Sequence, residues 1–171
     1  MARTCCEGEN SRNYNALYVA IRSSVLDKFG KLSSGESLAS SAVKTAIDLN
    51  AAVIVVLSES GTTARYIAKF RPSCAVVCLT PDATVARQVA GIYNSVHAYI
   101  VDSLSKDDIL SREVGIEAVK AGIAKVGDLM VIVSGTTYGH GANNQVRVEG
   151  IAAATGTPRQ MQHLHSFEYA E

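Results

Sequence analysis

Short apolar runs alternate along the chain with longer segments whose apolar residues recur at helical spacing. Four runs rich in β-branched and other apolar residues are predicted to be strands: Ala52–Leu57, Ala75–Leu79, Val96–Val101 and Asp128–Ser134. The segments between them are predicted to be helices: Thr62–Phe70, Ala83–Gly91 and Lys106–Val126. This alternation of strands and helices is typical of a mostly parallel sheet covered by helices.

Three more elements complete the predicted fold. Two helices, Tyr14–Phe29 and Glu36–Asn50, precede the first strand. A last strand, Gln145–Val148, follows a connection too short for a crossover helix, so we expect it to run antiparallel to its neighbour. The sequence therefore predicts a three-layer α/β/α sandwich around a mostly parallel five-stranded sheet with a last antiparallel strand.

The periodicity also divides the chain into three parts. Residues 1–30 are predicted to form a leading helical segment, residues 31–150 the α/β domain, and residues 151–171 a tail in which regular apolar spacing is lost. The 171 residues are 47% hydrophobic and 19% charged, which is a globular composition. A chain of this length is long enough to bury a core of its own.

Charge and hydropathy limit the classes of partner. Lysine plus arginine and aspartate plus glutamate number 16 each, which argues against a polybasic nucleic-acid surface. No apolar run reaches the length of a membrane span, and the opening MARTCCEGEN lacks the apolar core of a signal peptide. We therefore expect neither a nucleic acid nor a membrane as partner.

The cysteine pattern predicts neither a disulfide nor a metal site. Cys5 and Cys6 are neighbours, which seldom bridge, and Cys74 and Cys78 lie in an apolar run where thiols usually act as small hydrophobes. A zinc site would need more ligands at closer spacing. Because no pairing is implied, a reducing cytoplasm is the expected compartment.

The first candidate site directly follows the strand Ala52–Leu57. We call its residues the hydroxyl loop: Ser58, Glu59, Ser60, Gly61, Thr62 and Thr63. Glycine lets the backbone approach a ligand closely, hydroxyl and backbone N–H groups donate hydrogen bonds, and the next helix adds the positive end of its dipole. The hydroxyl loop is therefore a candidate phosphate cradle. The alternative is an ordinary strand–helix turn with an N-capping hydroxyl.

The second candidate site leaves the strand Asp128–Ser134. We call its residues the glycine-rich loop: Gly135, Thr136, Thr137, Tyr138, Gly139, His140, Gly141 and Ala142. Ligands of open parallel sheets bind at the carboxyl ends of strands, where both loops begin. Tyr138 and His140 could cover a sugar or pair with a phosphate. The alternative is a long hairpin turn whose glycines only satisfy backbone geometry.

Known phosphate and catalytic motifs are missing from both loops. The glycines around His140 do not have the spacing of a dinucleotide fingerprint, and the chain contains no Walker A sequence. Arg65 and Lys69, four residues apart on one face of the helix after the hydroxyl loop, are candidates for supporting charge, with a solvated surface cation as the alternative for each. No catalytic residue is predicted.

Several strings of the sequence resemble the C-terminal domain of pyruvate kinase. The matching strings, in collinear order, are ESLASSAVKTAIDLNA, IVVLSESGTTARYIAKFRP, CAVVCLT, VARQ, KVGD and VIVSGTTYGHGANN. The opening MAR…CEGEN is similar to the end of that family's catalytic barrel, so the resemblance covers about Met1 to Gly150. Several motifs in one order make the resemblance specific.

The resemblance implies a regulatory role. In the family, this domain binds allosteric effectors, usually phosphorylated sugars or, in some members, nucleotide monophosphates, and it forms one of the tetramer interfaces. Carried over to this chain, Ser58–Thr63 matches the loop that holds the effector phosphate, and Gly135–Ala142 matches the loop that folds over the ligand. Glu59 departs from the members that respond to sugar bisphosphates, which commonly place a basic residue in the effector region. Its carboxylate would repel a phosphate unless the side chain turns outward.

The resemblance also separates this chain from the family's catalysis. No segment resembles the barrel's metal-binding carboxylates, its transition-state lysine or its phosphate-binding arginine. We therefore expect this chain alone not to transfer a phosphoryl group from phosphoenolpyruvate to ADP. We also expect no cofactor here, since Mg²⁺ and K⁺ would belong to the barrel.

The predicted function is therefore that of a regulatory domain in glycolysis. It would bind a phosphorylated effector and contribute to self-association as a dimer or tetramer. One alternative is a purely structural oligomerisation domain with no ligand. The other is a small independent enzyme on the same fold, which would need a nucleophile or metal cluster in one of the two loops.

Overall fold

The computed structural model of the chain describes residues 12–92, 96–104, 107–135, 143–153 and 162–163. The helices, in chain order, are α1 (Tyr14–Phe29), α2 (Ser34–Leu49), α3 (Thr62–Lys69), α4 (Ala83–Ile92) and α5 (Asp107–Lys120). The strands are β1 (Val53–Leu57), β2 (Ala75–Thr80), β3 (Val96–Ile100), β4 (Leu129–Gly135), β5 (Asn143–Gly150) and β6 (Gln162–His163).

The sheet has the strand order β5-β4-β1-β2-β3-β6. Strands β1 to β4 are mutually parallel, and β5 runs antiparallel to β4. The predicted α/β fold with a mostly parallel sheet and an antiparallel fifth strand is confirmed. The structure adds the two-residue strand β6, which pairs antiparallel with β3 from within the stretch predicted as a tail.

Strand β1 lies in the centre of the sheet, and all five of its residues are buried. Ile54 and Val56 pack in one cluster with residues of α1 to α4. Val53, Val55 and Leu57 pack in a second cluster with residues of α5. Helices therefore cover both faces, which explains why the strands are continuous apolar runs rather than alternating ones.

Local sequence sets the ends of the helices on either side of the sheet. Helix α2 begins with a capping box in which Ser33 and Glu36 bond each other's backbone N–H groups. Helix α5 ends at Lys120, six residues before the predicted end at Val126. The reason is Gly122, which adopts a φ of +72° and donates its N–H to the carbonyl oxygen of Val119 at 3.1 Å.

The described helices are 8 to 16 residues long. Within the part of the chain that the structure describes, none combines the length and the hydropathy that crossing a bilayer requires. Helix α3, the shortest of them, is the one that follows β1 at the centre of the sheet. Its position places the hydroxyl loop at the middle of the carboxyl edge.

Candidate functional site

The hydroxyl loop is anchored to the neighbouring strand β2. The backbone N–H of Ser58 donates to the carbonyl oxygen of Leu79 at 3.0 Å, which extends the β1–β2 ladder by one bond. The Thr80 hydroxyl donates to the carbonyl oxygen of Glu59 at 3.4 Å. Ser58 is buried and Glu59 half-buried. Both contacts hold the first two residues of the loop in place, because their partners belong to a strand inside the sheet.

Gly61 is the residue on which the shape of the hydroxyl loop depends. It adopts a φ of +70°, which residues other than glycine rarely adopt. A Cβ at this position would lie 2.7 Å from the Val89 Cγ2 and 3.0 Å from the Val85 Cγ1. The loop is therefore pressed against α4, and only glycine fits both the backbone conformation and the space.

Helix α3 starts immediately after Gly61 with an uncapped N-terminus. Gly61 has no side chain to form a cap hydrogen bond, and the first intrahelical bond runs from the Arg65 N–H to the Gly61 carbonyl at 3.0 Å. The N–H groups of Thr62, Thr63 and Ala64 consequently have no intrahelical acceptor. Unpaired N–H groups and the positive end of the helix dipole make such a position favourable for an anion.

The hydroxyl groups of the loop are close to these N–H groups. The Ser60 hydroxyl donates to the Thr62 hydroxyl oxygen at 3.0 Å, which leaves the Thr62 proton free to be donated onward. The predicted residues Ser58 to Thr63 therefore bring their hydroxyl groups to the N-terminus of α3. They combine backbone and side-chain donors at one end of one helix.

Asn143 is a residue at this site that the sequence reasoning missed. Its side-chain amide donates to the Leu57 carbonyl oxygen and to the Thr63 hydroxyl oxygen, both at 2.9 Å. Asn143 is the first residue of β5 and pairs with Gly135, the last residue of β4. The available signal was the asparagine pair directly after the glycine-rich loop, but its role depends on the β4–β5 register.

The glycine-rich loop is rooted beside the hydroxyl loop. Gly135, half-buried at the end of β4, is its one described residue. The predicted residues Thr136, Thr137, Tyr138, Gly139, His140, Gly141 and Ala142 lie outside the described part of the chain. Because β4 lies next to β1 and parallel to it, the two loops start from the same edge of the sheet.

The two predicted supporting charges have different surroundings. Arg65 is exposed in the second turn of α3, with its guanidinium carbon 5.4 Å from the centre of the Tyr66 ring. Lys69, at the far end of α3, forms a 2.7 Å ion pair with Glu36. Lys69 lies seven positions after Thr62, which is a rise of about 10 Å along the helix at 1.5 Å per residue. The structure therefore places Arg65, but not Lys69, near the hydroxyl loop.

Glu36 is held as a carboxylate by this pair. The hydrogen bond from Lys69 is the largest of the effects that lower the pKa of Glu36 below its ordinary value of 4.5. A bond from the Ser33 backbone adds to it, while desolvation acts in the opposite direction. The ion pair therefore neutralises the charge of Lys69 within the fold and links α2 to α3.

Among the described residues, no group of three or more histidine, cysteine, aspartate or glutamate side chains is arranged to hold a metal ion. Burial raises the pKa of the Cys74 thiol to about 11 and that of the Cys78 thiol to about 12. Both thiols are therefore protonated at neutral pH, which makes them poor nucleophiles and poor metal ligands.

These elements define a mostly parallel α/β domain with an uncapped helix N-terminus at its carboxyl edge. Residues 36–149 match the family described as the pyruvate kinase alpha/beta domain, and the chain belongs to this family. The resemblance noted in the sequence strings is thereby confirmed.

Individual relatives agree with the family. The chain is 35% identical over 152 residues to pyruvate kinase of Dictyostelium discoideum, covering 86% of this chain and 29% of that protein. It is 31% identical over 151 residues to pyruvate kinase of Clostridium acetobutylicum, covering 87% and 30%. A crystal structure of a pyruvate kinase from Cryptosporidium parvum superposes with a TM-score of 0.78 at 30% identity, covering 86% of this chain and 28% of the other. The chain therefore spans about three-tenths of the length of these relatives.

Proposed function

We propose that this domain is regulatory and binds a phosphorylated small molecule, a sugar phosphate or a nucleotide, at the hydroxyl loop. The observation that carries the proposal is the uncapped N-terminus of α3, where the N–H groups of Thr62, Thr63 and Ala64 have no intrahelical acceptor. A phosphate bound there accepts hydrogen bonds from these groups and from the Thr62 hydroxyl, and it also meets the positive end of the helix dipole.

Residues around the hydroxyl loop would add a positive charge and a cover to the proposed site. Arg65, one turn into α3 and exposed, supplies the nearest positive charge on that helix. The glycine-rich loop, starting at Gly135 on the adjacent strand, covers the ligand in this proposal. Asn143, which follows that loop, donates a hydrogen bond to Thr63, so the two loops are linked by a direct side-chain contact.

Glu59 sets the affinity of the proposed site. It lies between two serines of the hydroxyl loop, and its backbone is fixed by the bond from Thr80. A carboxylate at this position repels a phosphate group, so binding requires its side chain to point to solvent. We infer that this site binds its ligand more weakly than a loop with a neutral or basic residue at position 59 would.

In the intact protein, the proposed binding would act on an assembly. Membership of the pyruvate kinase family supports a place in glycolysis and in the cytoplasm, with the catalytic chemistry and its Mg²⁺ and K⁺ ions in a barrel domain. A ligand that binds one conformer of a dimer or tetramer better than another shifts the assembly by no more than that difference in affinity.

Thermal unfolding with candidate ligands tests the proposal. The ligands are fructose 1,6-bisphosphate, ribose 5-phosphate, glucose 6-phosphate, AMP and inorganic phosphate. At about one hundred times its dissociation constant, a ligand stabilises the fold by roughly 2.7 kcal/mol, which is a shift of several degrees. The double variant Ser60→Ala with Thr62→Ala should lose the shift, whereas Ser24→Ala, an exposed serine on α1, should keep it.

A structural assembly domain with no ligand is the second candidate, and β5 favours it. This eight-residue strand is at one end of the sheet, and no described strand pairs with its outer edge. Val148, on the same strand, is 42% exposed. An open edge of this length is a surface for pairing with another chain. Oligomers that survive Ser60→Ala with Thr62→Ala and are indifferent to all phosphorylated ligands would support this candidate.

A further inference from the structure

Strand β3 lies at one end of the row of four parallel strands, and the two-residue strand β6 covers its outer edge. The pairing is antiparallel, with Tyr99 opposite His163 and Ile100 opposite Gln162. This end of the sheet is the one away from β5, and it contains no residue of the hydroxyl loop or the glycine-rich loop. The outer edge of β3 is therefore a surface separate from the candidate site.

The sequence of β3 is of the kind that associates when its edge is exposed. The run Val96–Val101 is rich in β-branched and aromatic residues and contains no lysine, arginine, aspartate, glutamate or proline. Charged residues and prolines are the usual means by which an edge strand avoids pairing with another chain. Because β3 has neither, its edge requires a different form of protection.

The backbone of Ile100 faces β6. On the inner side of β3, the Val101 N–H donates to the carbonyl oxygen of Thr80 in β2 at 3.0 Å. Backbone groups of successive residues in a strand point to opposite edges, so the N–H and C=O of Ile100 point away from β2. Gln162 lies opposite Ile100 in the register, and the two residues therefore exchange both of their backbone hydrogen bonds. At this position β6 occupies the groups that could otherwise pair with a further strand.

Packing on both faces of the sheet holds β3 in place. Val96 and Ala98 are buried in the cluster that contains Ile54 and Val56 of β1. Tyr99, which points to the opposite face, packs against the cluster on the side of α5. A strand fixed in this way presents its outer backbone groups in a regular row, which is what a second strand needs for pairing.

We propose that β6 caps the edge of β3 and prevents a second copy of this chain from pairing with the sheet there. The occupant of the edge is this chain's own segment Gln162–His163, and the excluded partner is the β3 edge of another copy. Two uncapped β3 edges can pair antiparallel about a two-fold axis, since such a contact uses the same surface on both copies. Loss of the cap therefore turns this edge into a surface for self-association, whether or not a ligand binds at the hydroxyl loop.

A matched pair of proline variants of the full chain tests the cap. Gln162→Pro removes the N–H that the Ile100 carbonyl oxygen accepts, whereas His163→Pro removes an N–H that points away from β3. Proline is tolerated in an edge strand where the missing N–H faces solvent. Hydrogen exchange of the Ile100 amide, followed by NMR, should be about tenfold faster in Gln162→Pro and unchanged in His163→Pro.

Sedimentation velocity at several concentrations measures the consequence. Gln162→Pro should form larger species than the parent as the concentration rises, and His163→Pro should match the parent. Adding His97→Lys, a charge at the exposed position of β3, should abolish these species.

Three outcomes would overturn the proposal. The first is equal exchange of the Ile100 amide in the two proline variants, and the second is faster exchange in Gln162→Pro without larger species. The third is larger species that persist with His97→Lys, because the contact then lies elsewhere. Cooperative thermal unfolding shows that each variant is folded, and its loss in Gln162→Pro alone would identify β6 as an element of folding instead of a cap.

Discussion

Asn143 and Thr63, 80 positions apart in the sequence, are joined by a 2.9 Å hydrogen bond from the side-chain amide to the hydroxyl oxygen. The same amide donates to the Leu57 carbonyl oxygen. One side chain at the start of β5 therefore connects the end of β1 with the first turn of α3. The hydroxyl loop and the strand at the open edge of the sheet are therefore in direct contact.

Asn143→Ala should destabilise the domain. It leaves the part-buried Leu57 carbonyl and Thr63 hydroxyl without their donor, which costs about 1–2 kcal/mol of the free energy of unfolding. Urea denaturation measures the loss. Gln145→Ala, two residues further along β5 and exposed, is the control and should stay within about 0.5 kcal/mol of the parent. Equal effects of the two variants would contradict this role of Asn143.

Gly61→Ala and Gly122→Ala form a matched pair. Both glycines have a φ close to +70°, but a Cβ at Gly61 meets Val89 at 2.7 Å while one at Gly122 meets nothing within 4 Å. We expect Gly122→Ala to cost about 1–2 kcal/mol, from backbone strain alone, and Gly61→Ala about 3–4 kcal/mol, because overpacking adds to the strain. Denaturant unfolding of both variants measures the two losses in free energy of unfolding. Equal losses would show that α4 does not confine the loop.

The Glu36–Lys69 pair predicts a pH dependence of stability. The folded-state pKa of Glu36 is lowered, so the pair stabilises the fold above the ordinary carboxylate value of 4.5, and that contribution is lost as the pH falls through the lowered value. Since both side chains are partly exposed, the contribution is about 0.5–1 kcal/mol. Thermal unfolding should show that Glu36→Gln is less stable than the parent at pH 7 and equal to it near pH 2. If the stability difference between Glu36→Gln and the parent does not change with pH, it does not come from the charge of the Glu36–Lys69 pair.

Charge reversal at Glu59 should strengthen phosphate binding. Glu59→Lys replaces a repulsive charge in the hydroxyl loop by an attractive one, which we expect to tighten binding roughly tenfold at low salt, and less at high salt. Asp27→Lys makes the same change of net charge at an exposed position near the end of α1. Calorimetric titration with the best ligand compares the two variants. A similar gain in both would attribute the effect to net charge and not to the loop.

The sequence predicts the sheet well because its strands are buried on both faces. Val53 to Leu57 reads as a continuous apolar run for the same reason that all five residues are buried in the structure. The helix ends are harder to predict: the apolar spacing continues beyond Lys120, but Gly122 ends α5 by its backbone conformation. The strand Gln162–His163 is too short to show an alternating pattern of apolar and polar residues. Its pairing depends on the position of the edge of β3, which the sequence does not reveal.

The contacts of the candidate site depend on tertiary structure, which the sequence does not reveal. Ser58 to Thr63 are recognisable because hydroxyls and a glycine follow a buried strand. The bonds made by Asn143 depend on the β4–β5 register. Lys69 shares a helix face with Arg65, but it pairs with Glu36, which is 33 positions away and approaches only once α2 packs on α3.

The most direct test of the central claim is an NMR titration that follows the backbone amide signals of Thr62, Thr63 and Ala64. If a phosphorylated molecule binds at the N-terminus of α3, these three signals should shift and saturate with one of the candidate ligands and remain unchanged with its unphosphorylated parent. Signals that do not respond to any phosphorylated ligand, or a response confined to other parts of the chain, would contradict phosphate binding at the hydroxyl loop.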